Sequence, residues 1–216
     1  MKKKAIVLAG SRGIGKAIAD SLRGLDFEVV ATSSKEVDTS NIEQVKQFIE
    51  KQKQTDILVL NTGGPPAKDF FEITEEDWLH YFNQLFYSFC LILQKLHVND
   101  GGFIFLISSF NIKEPDPKLL LSNSYRIAFT SVLKSMSKIF AARQINCINI
   151  APGPIKTDRL YNLTKDMQAL EQGLPMKHAA EPEEIGRFVK AIVENNIKYL
   201  SGVTINFDGA KSNYVI

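Results

Sequence analysis

The sequence predicts an α/β fold, a doubly wound parallel sheet in a single domain over residues 1–216, and three observations carry that prediction. Runs such as Ala5 to Ala9, Ile57 to Leu60, Phe103 to Ile107 and Ile145 to Ile150 are apolar throughout, as strands buried on both faces are. Segments whose apolar residues recur every three or four positions separate these runs. No repeat, low-complexity tract or linker interrupts the alternation, so βαβ units with helices on both faces of one sheet follow.

Taken in order, Ala5-Ile6-Val7-Leu8-Ala9 forms the first strand and stops at Gly10. Ile14, Ile18 and Leu22, with Ala17 and Ser21 beside them, make the first helix, and Gly24 ends it. Phe27 to Thr32 is the second strand. Ser40-x-x-Glu43 has the form of a capping box ahead of Ile42, Val45, Phe48 and Ile49, which places a helix near 41–53. Ile57-Leu58-Val59-Leu60 runs into Asn61-Thr62-Gly63-Gly64, and Thr74-x-x-Asp77 opens a long helix over about 75–97. Phe103 to Ile107 ends at Ser108-Ser109. A loop with Pro115 and Pro117 leads to a helix near 123–142, and Ile145 to Ile150 closes on Pro152-Gly153-Pro154. Residues 159–173 are weakly helical and polar, as suits a flap. Pro182 starts a helix whose Ile185, Val189, Ile192 and Val193 face inward, and Val203 to Phe207 is the last strand, before Asp208-Gly209.

The 216 residues include 26 Lys and Arg against 24 Asp and Glu, a formal charge of +2. That balance argues against a partner held by bulk charge, so no nucleic acid and no membrane are expected. At 44% hydrophobic and 23% charged residues the composition is that of a soluble globular protein. Cys90 and Cys147 lack the spacing of a redox or zinc site, and His80, His97 and His178 share no metal-ligand spacing; reduced thiols and no metal are expected. The apolar stretch after Lys2-Lys3-Lys4 is too short for a leader. The longest apolar run, Leu85 to Leu93, is broken by Ser88 and falls short of the roughly 18 residues of a membrane span. A cytoplasmic location is the expectation.

Ligands on parallel sheets bind beyond the carboxyl ends of the strands, and Gly10, Asn61, Ser109 and Pro152-Gly153 all fall there. Gly10-Ser11-Arg12-Gly13-Ile14-Gly15 lies between a buried strand and a helix start, where free N–H groups and the helix dipole favour a phosphate. The G-x-x-G-x-G spacing alone specifies no particular ligand. Set beside the other strand ends, however, it resembles the short-chain dehydrogenase/reductase family. That family's T-G-x-x-x-G-x-G is matched with Ala9 at the threonine and Gly10, Gly13 and Gly15 at the glycines, and its N-N-A-G resembles Asn61-Thr62-Gly63-Gly64. Its serine-bearing fifth strand is similar to Ile107-Ser108-Ser109, and its P-G-x-x-x-T to Pro152-Gly153-Pro154-Ile155-Lys156-Thr157. Pro182-Glu183-Glu184-Ile185, Tyr199-Leu200-Ser201-Gly202 and Asp208-Gly209 resemble the closing segments, so the likeness runs in order over nearly the whole chain.

The resemblance implies a Rossmann-like sheet, a nicotinamide dinucleotide and hydride transfer to or from a small carbonyl or alcohol substrate. It places Gly10, Ser11, Arg12, Gly13, Ile14 and Gly15 at the pyrophosphate, Asn61 and Gly63 on the adenosine side, and Pro152, Gly153, Ile155 and Thr157 by the nicotinamide. A carboxylate at the end of the second strand would hold the 2′-hydroxyl of NAD and repel a 2′-phosphate. The sequence there reads Ala31-Thr32-Ser33-Ser34-Lys35. Ser33, Ser34 and Lys35, with Arg12, suit a 2′-phosphate, so NADP(H) is expected over NAD(H). Asp38, followed by Thr39, matches the family's aspartate near the adenine amino group. Family members usually run a few tens of residues longer. Thr32 passes to Val37-Asp38 without room for a helix, so the sheet is shortened between strands 2 and 3, the intervening strand is reduced to a stub and the adenine end is more open.

The family's catalytic helix carries Tyr-x-x-x-Lys one turn apart, the lysine lowering the tyrosine pKa and holding the ribose hydroxyls. The match here is Tyr125-Arg126-Ile127-Ala128-Phe129, with Phe129 in the lysine position. Arg126, about 100° round the helix from Tyr125, and Lys134 do not replace the lysine directly. Ser109 then orients the substrate oxygen, and Tyr125, near an ordinary pKa of about 10, donates a proton, which favours reduction. The family's asparagine on the preceding helix falls on Leu85, with Asn83 nearby. Tyr161-x-x-x-Lys165 lies in the flap beyond Pro152-Gly153 and reads as a chance match, while residues 155–175 would cover the substrate. Loss of the lysine also admits a dinucleotide-binding sensor or scaffold with little turnover. Helix 75–97 is apolar nearly all round, and 123–142 is similar; the resemblance implies a homodimer or homotetramer through this pair.

Overall fold

Six parallel strands form one sheet in the order β2-β1-β3-β4-β5-β6 in the computed structural model, which describes residues 2–215. The strands are β1 (Lys4–Val7), β2 (Glu28–Ala31), β3 (Gln54–Leu60), β4 (His97–Ile107), β5 (Asn146–Pro152) and β6 (Val203–Phe207). Ala5, Ile6 and Val7 are fully buried, as a strand covered on both faces requires. The chain steps from β1 to β2 on one side and then returns to lay β3 on the other. The crevice of such a reversal, here between the ends of β1 and β3, is where open parallel sheets bind ligands.

One face carries α2 (Ile42–Gln52), α4 (Ser88–Lys95) and α5 (Leu120–Phe140), packed through Phe48, Phe89, Ile92, Phe129 and Leu133. The other carries α1 (Gly13–Arg23) and, late in the chain, the helix that starts at Pro182, packed through Ile18, Leu22, Ile185 and Val189. Thr74 and Asp77 form the expected capping box at α3 (Glu75–Phe82). The long helix expected over 75–97 runs from Glu75 to Lys95 with a π turn at Asn83–Tyr87 set between α3 and α4, and β4 already begins at His97. No described helix is long and apolar enough to cross a membrane.

Two expectations between β2 and α2 are corrected. The stub is absent. Residues 33–36 turn back on themselves, with Val37 N donating to Ser33 O at 2.9 Å, and Val37 enters the core at 6% exposure, so the chain passes straight into α2. Ser40 does not cap that helix, because its hydroxyl donates to Asp38 Oδ1 at 2.7 Å; Asn41 Oδ1 accepts from Glu43 N and Gln44 N instead.

Candidate active site

The turn from β1 into α1 is built for close approach. Ala9 has φ +46° and Gly13 has φ +51°, so the left-handed positions of this turn are residues 9 and 13. With three residues between them, they carry the spacing of the family's first two glycines. Ala9 therefore stands where the first glycine was expected, and the match that put Gly10 there is one residue out. Gly10 lets β2 approach, since a Cβ on it would stand 2.8 Å from the Ala31 Cβ. On Gly15 a Cβ would lie 2.1 Å from the Ala9 carbonyl oxygen and 2.7 Å from Asn61 Nδ2, so only glycine lets α1 begin here. Arg12 supplies no side-chain cap, and the first turn of α1 holds no acidic residue. Its leading N–H groups, those of Gly13, Ile14 and Gly15 just after Ser11 and Arg12, thus remain available to an anion, whereas Lys16 N already donates to the Arg12 carbonyl. Asn61 Nδ2 donates to the carbonyls of Leu8 (3.3 Å) and Ala9 (3.4 Å), tying the β3 end to this loop.

At the adenine side, Ser33 N and Oγ donate to Glu36 Oε2 at 2.7 and 2.9 Å. A carboxylate from beyond the strand thus folds back onto donors expected to meet a 2′-phosphate, a contact the linear reading of residues 31–35 missed. Ser34 and Lys35 are exposed. Arg12 is 80% exposed and pairs loosely with Asp158 at 3.6 Å. Asp38 is engaged by Ser40, and Thr39 Oγ1 lies 3.0 Å from Thr62 Oγ1, which ties the loop to the β3 end.

The catalytic helix is phased differently from the expectation. The Tyr125 hydroxyl donates to the Trp78 carbonyl at 3.0 Å, and its ring meets Trp78 and Phe82 edge-on, against α3. Ser109 Oγ, half-buried, accepts from Asn111 N at 3.2 Å as it starts a short turn. The structure therefore joins Ser109 and Tyr125 by no hydrogen bond, and burial pushes the Tyr125 pKa up. Phe129 is fully buried, edge-on to Phe89 at 5.3 Å, so its position is a core site. The residue of α5 that reaches the strand ends is Arg126, with Ser122 one turn before it. Arg126, 8% exposed, donates through Nη1 to the Ile107 carbonyl (2.9 Å), through Nη2 to that of Thr62 (3.3 Å) and through Nε to Ser122 Oγ (3.1 Å). Burial, followed by the nearby charge of Arg159, brings its pKa down to about 10. The buried stripe of α5 explains this: Ser122, Arg126, Phe129, Leu133 and Ser137 recur at steps of four and three, and Tyr125 lies off it. Stepping back from Phe129 and Leu133 along that period would have found Arg126.

Gln84, in the π turn, donates to Thr62 Oγ1 and to the Gly63 carbonyl, both at 3.2 Å, so the side chain of this turn that is bonded to the segment after β3 comes from the residue between Asn83 and Leu85. Leu85 is a core residue at 1% exposure. π turns of this kind re-aim a helix face, often at functional sites.

Past β5, Gly153 N donates to the Phe207 carbonyl at 3.0 Å, and Pro152 closes the strand. Ile155 is buried and bridges Ala180, while Thr157 leans on the glycine loop, its Cγ2 3.2 Å from where a Gly13 Cβ would be. The flap is two short helices, α6 (Asp158–Leu163) and α7 (Met167–Gly173), followed by α8 (Pro182–Glu194). Lys156 pins it through Glu171 (3.3 Å) and Glu181 (3.0 Å). Arg159 reaches back from α6 to the Gly64 carbonyl at 2.8 Å. Tyr161 is 53% exposed. A cavity of about 320 Å³ opens between the segment that follows α7 and the ends of β5 and β6, lined by Pro154, Leu174, Met176, Phe207 and Asp208. Uncapped N–H groups over two glycines, with donors at the strand ends, fit a dinucleotide phosphate.

The model of the enoyl-(acyl carrier protein) reductase family matches residues 34–210. The chain is 28% identical to the 3-oxoacyl-(acyl-carrier-protein) reductase FabG of Chlamydia pneumoniae, over 96% of each. It is 26% identical to the NADPH-dependent reductase BacG of Bacillus subtilis strain 168, over 96% of this chain and 97% of that one. A solved short-chain dehydrogenase/reductase of Serratia marcescens BCRC 10948 has the same fold, with a TM-score of 0.86 at 24% identity over 98% of each chain. With six parallel strands, a phosphate-ready turn after β1 and a family match over most of its length, the chain belongs to the short-chain dehydrogenase/reductase family of oxidoreductases.

Proposed function

We propose that this chain is an NADP(H)-dependent reductase of small carbonyl compounds. The observation that carries the reading is the convergence of a phosphate cradle, the open N–H groups of α1, with a buried guanidinium, Arg126, beyond the ends of β1, β3 and β4. The Bacillus subtilis relative named as NADPH-dependent supports the cofactor. So do Ser34 and Lys35, which are exposed, and Arg12, which is 80% exposed and exchanges its loose 3.6 Å pair with Asp158 for a 2′-phosphate; Ser33 joins them once Glu36 leaves it.

When bound, the nicotinamide supplies the hydride that forms the new C–H bond as the carbonyl electron pair moves to oxygen. Ser109 holds that oxygen by a hydrogen bond. Arg126, whose second Nη1 N–H has no acceptor among the described residues, takes over the lysine's hold on the ribose hydroxyls and steadies the developing negative charge. Ser122 Oγ accepts from Arg126 Nε; a donor on that oxygen stabilises its alkoxide, so Ser122 gives up its own proton to the substrate oxygen more readily and regains one from solvent. Tyr125 has no part in these steps. Leu79, Ile127 and Ile139, at 66%, 44% and 64% exposure, form the apolar surface for a dimer or tetramer through α3–α4 and α5, and the free thiols Cys90 and Cys147 suit the cytoplasm.

The test is a fluorescence titration with NADPH and NADH, followed by NADPH oxidation against a panel of small ketones and aldehydes. The expected result is NADPH binding at least about tenfold tighter than NADH, with turnover in the direction of reduction. Absence of NADPH binding would overturn the reading. Tight binding without turnover across the panel would favour the sensor or scaffold.

A further inference from the structure

Two arginines meet at the mouth of the site with no carboxylate between them. Arg126 sits behind, anchored on the carbonyls of Ile107 and Thr62, and Arg159 stands in front, on the flap. Neither forms an ion pair among the described residues, whereas the neighbouring cations are matched: Lys68 with Asp77 at 2.6 Å, Lys156 with Glu171 and Glu181, Arg12 with Asp158. A half-buried arginine without an anion is an unusual expense in desolvation unless a ligand completes it.

The seat of Arg159 is shaped for it. Its Cζ and Nη2 would lie 2.6 and 2.7 Å from a Cβ on Gly64, so the guanidinium lies flat across this residue, and a side chain there would displace it. Of its five N–H groups, only one on Nη1 is engaged, by the Gly64 carbonyl at 2.8 Å; the others have no acceptor among the described residues. Burial lowers the Arg159 pKa while the nearby Tyr81 raises it, yet the group stays charged at neutral pH. The pyrophosphate and 2′-phosphate of the cofactor have donors of their own at α1 and at Arg12, Ser34 and Lys35, which leaves this charge without a counterpart on the nucleotide side.

We propose that Arg159 is the specificity-determining residue of the site and receives the carboxylate of an anionic carbonyl substrate, with the charge of Arg126 behind it. The planar fork of a guanidinium matches a carboxylate through two parallel hydrogen bonds, which also orients the adjoining carbonyl. The proposal rests on the reductase reading and names the substrate class for the same site.

Benzoylformate and its methyl ester share one ketone and differ in charge. Their dissociation constants, measured by calorimetry on the protein alone and on its NADPH complex, test the proposal independently of turnover. The expected result is at least a tenfold preference for the acid, which Arg159→Gln reduces to within about twofold while the NADPH dissociation constant and melting temperature stay near those of the parent. Equal affinity of the parent for acid and ester would overturn the proposal. So would an Arg159→Gln variant that keeps the acid preference and loses NADPH, because the arginine would then serve the cofactor's phosphates. Failure of the parent to bind NADPH would sink the reductase reading alone, since the acid and ester are also compared on the protein without cofactor.

Discussion

The two sides of the cleft are prepared for negative charge in opposite ways. On the β1–α1 side the donors are backbone N–H groups, and the sequence requirement is small residues: Gly10 against Ala31, Gly15 against the Ala9 carbonyl, a left-handed pair at Ala9 and Gly13. On the α5–flap side they are side chains, Arg126 and Arg159, seated on carbonyls of Ile107, Thr62 and Gly64. A backbone site depends on where side chains are missing. A side-chain site depends on the phase of a helix, so a shift of one residue along α5 exchanges Tyr125 for Arg126.

The largest effect that separates the two sides is expected from Phe129→Lys, the change that would restore the family spacing on paper. Phe129 is fully buried against Phe89. An unpaired ammonium there should cost more than about 4 kcal/mol, with no cooperative thermal transition left; a folded variant that binds NADPH more tightly would show instead that the position faces the cofactor. Next comes Gly15→Ala, whose added methyl collides with the Ala9 carbonyl. It should lower stability by about 1–3 kcal/mol in urea unfolding and weaken NADPH by well over tenfold.

Smaller effects refine the picture. Glu36→Ala frees Ser33 N and Oγ and removes a charge that repels a 2′-phosphate, so NADPH should bind about tenfold tighter with little change for NADH, as read by paired titrations. Ala9→Gly relieves a left-handed alanine at φ +46° and should raise stability by about 0.5–1 kcal/mol by chemical denaturation.

Much of this was legible from residues alone. All-apolar runs located the buried strands, and the glycine loop marked the phosphate side, because both patterns are local and uninterrupted. The one-residue error at Ala9 arose because a glycine lay next to the position that bends; the three residues the family places before its second glycine, counted back from Gly13, lead to Ala9, and its φ agrees. The α5 assignment failed for a different reason. Ile127, Val132, Met136 and Ile139 lie outside the buried stripe, so the apolar pattern alone left the helix phase open and a motif match decided it wrongly. Arg159 lies in a flap without periodicity, and Glu36 acts by folding back through a turn; neither leaves a signal at a fixed spacing. Gln84 was hidden because a π turn shifts the register on which counting along a helix relies.

The central claim is that α5 presents Arg126, and not Tyr125, to the cofactor. It is tested most directly by the NADPH dissociation constants of Arg126→Gln and Tyr125→Phe, each variant first shown to melt cooperatively. Arg126→Gln should weaken NADPH by at least about tenfold, while Tyr125→Phe, which gives up only its bond to the Trp78 carbonyl, should stay within about twofold of the parent. Weakened binding in Tyr125→Phe with unchanged binding in Arg126→Gln would contradict the account.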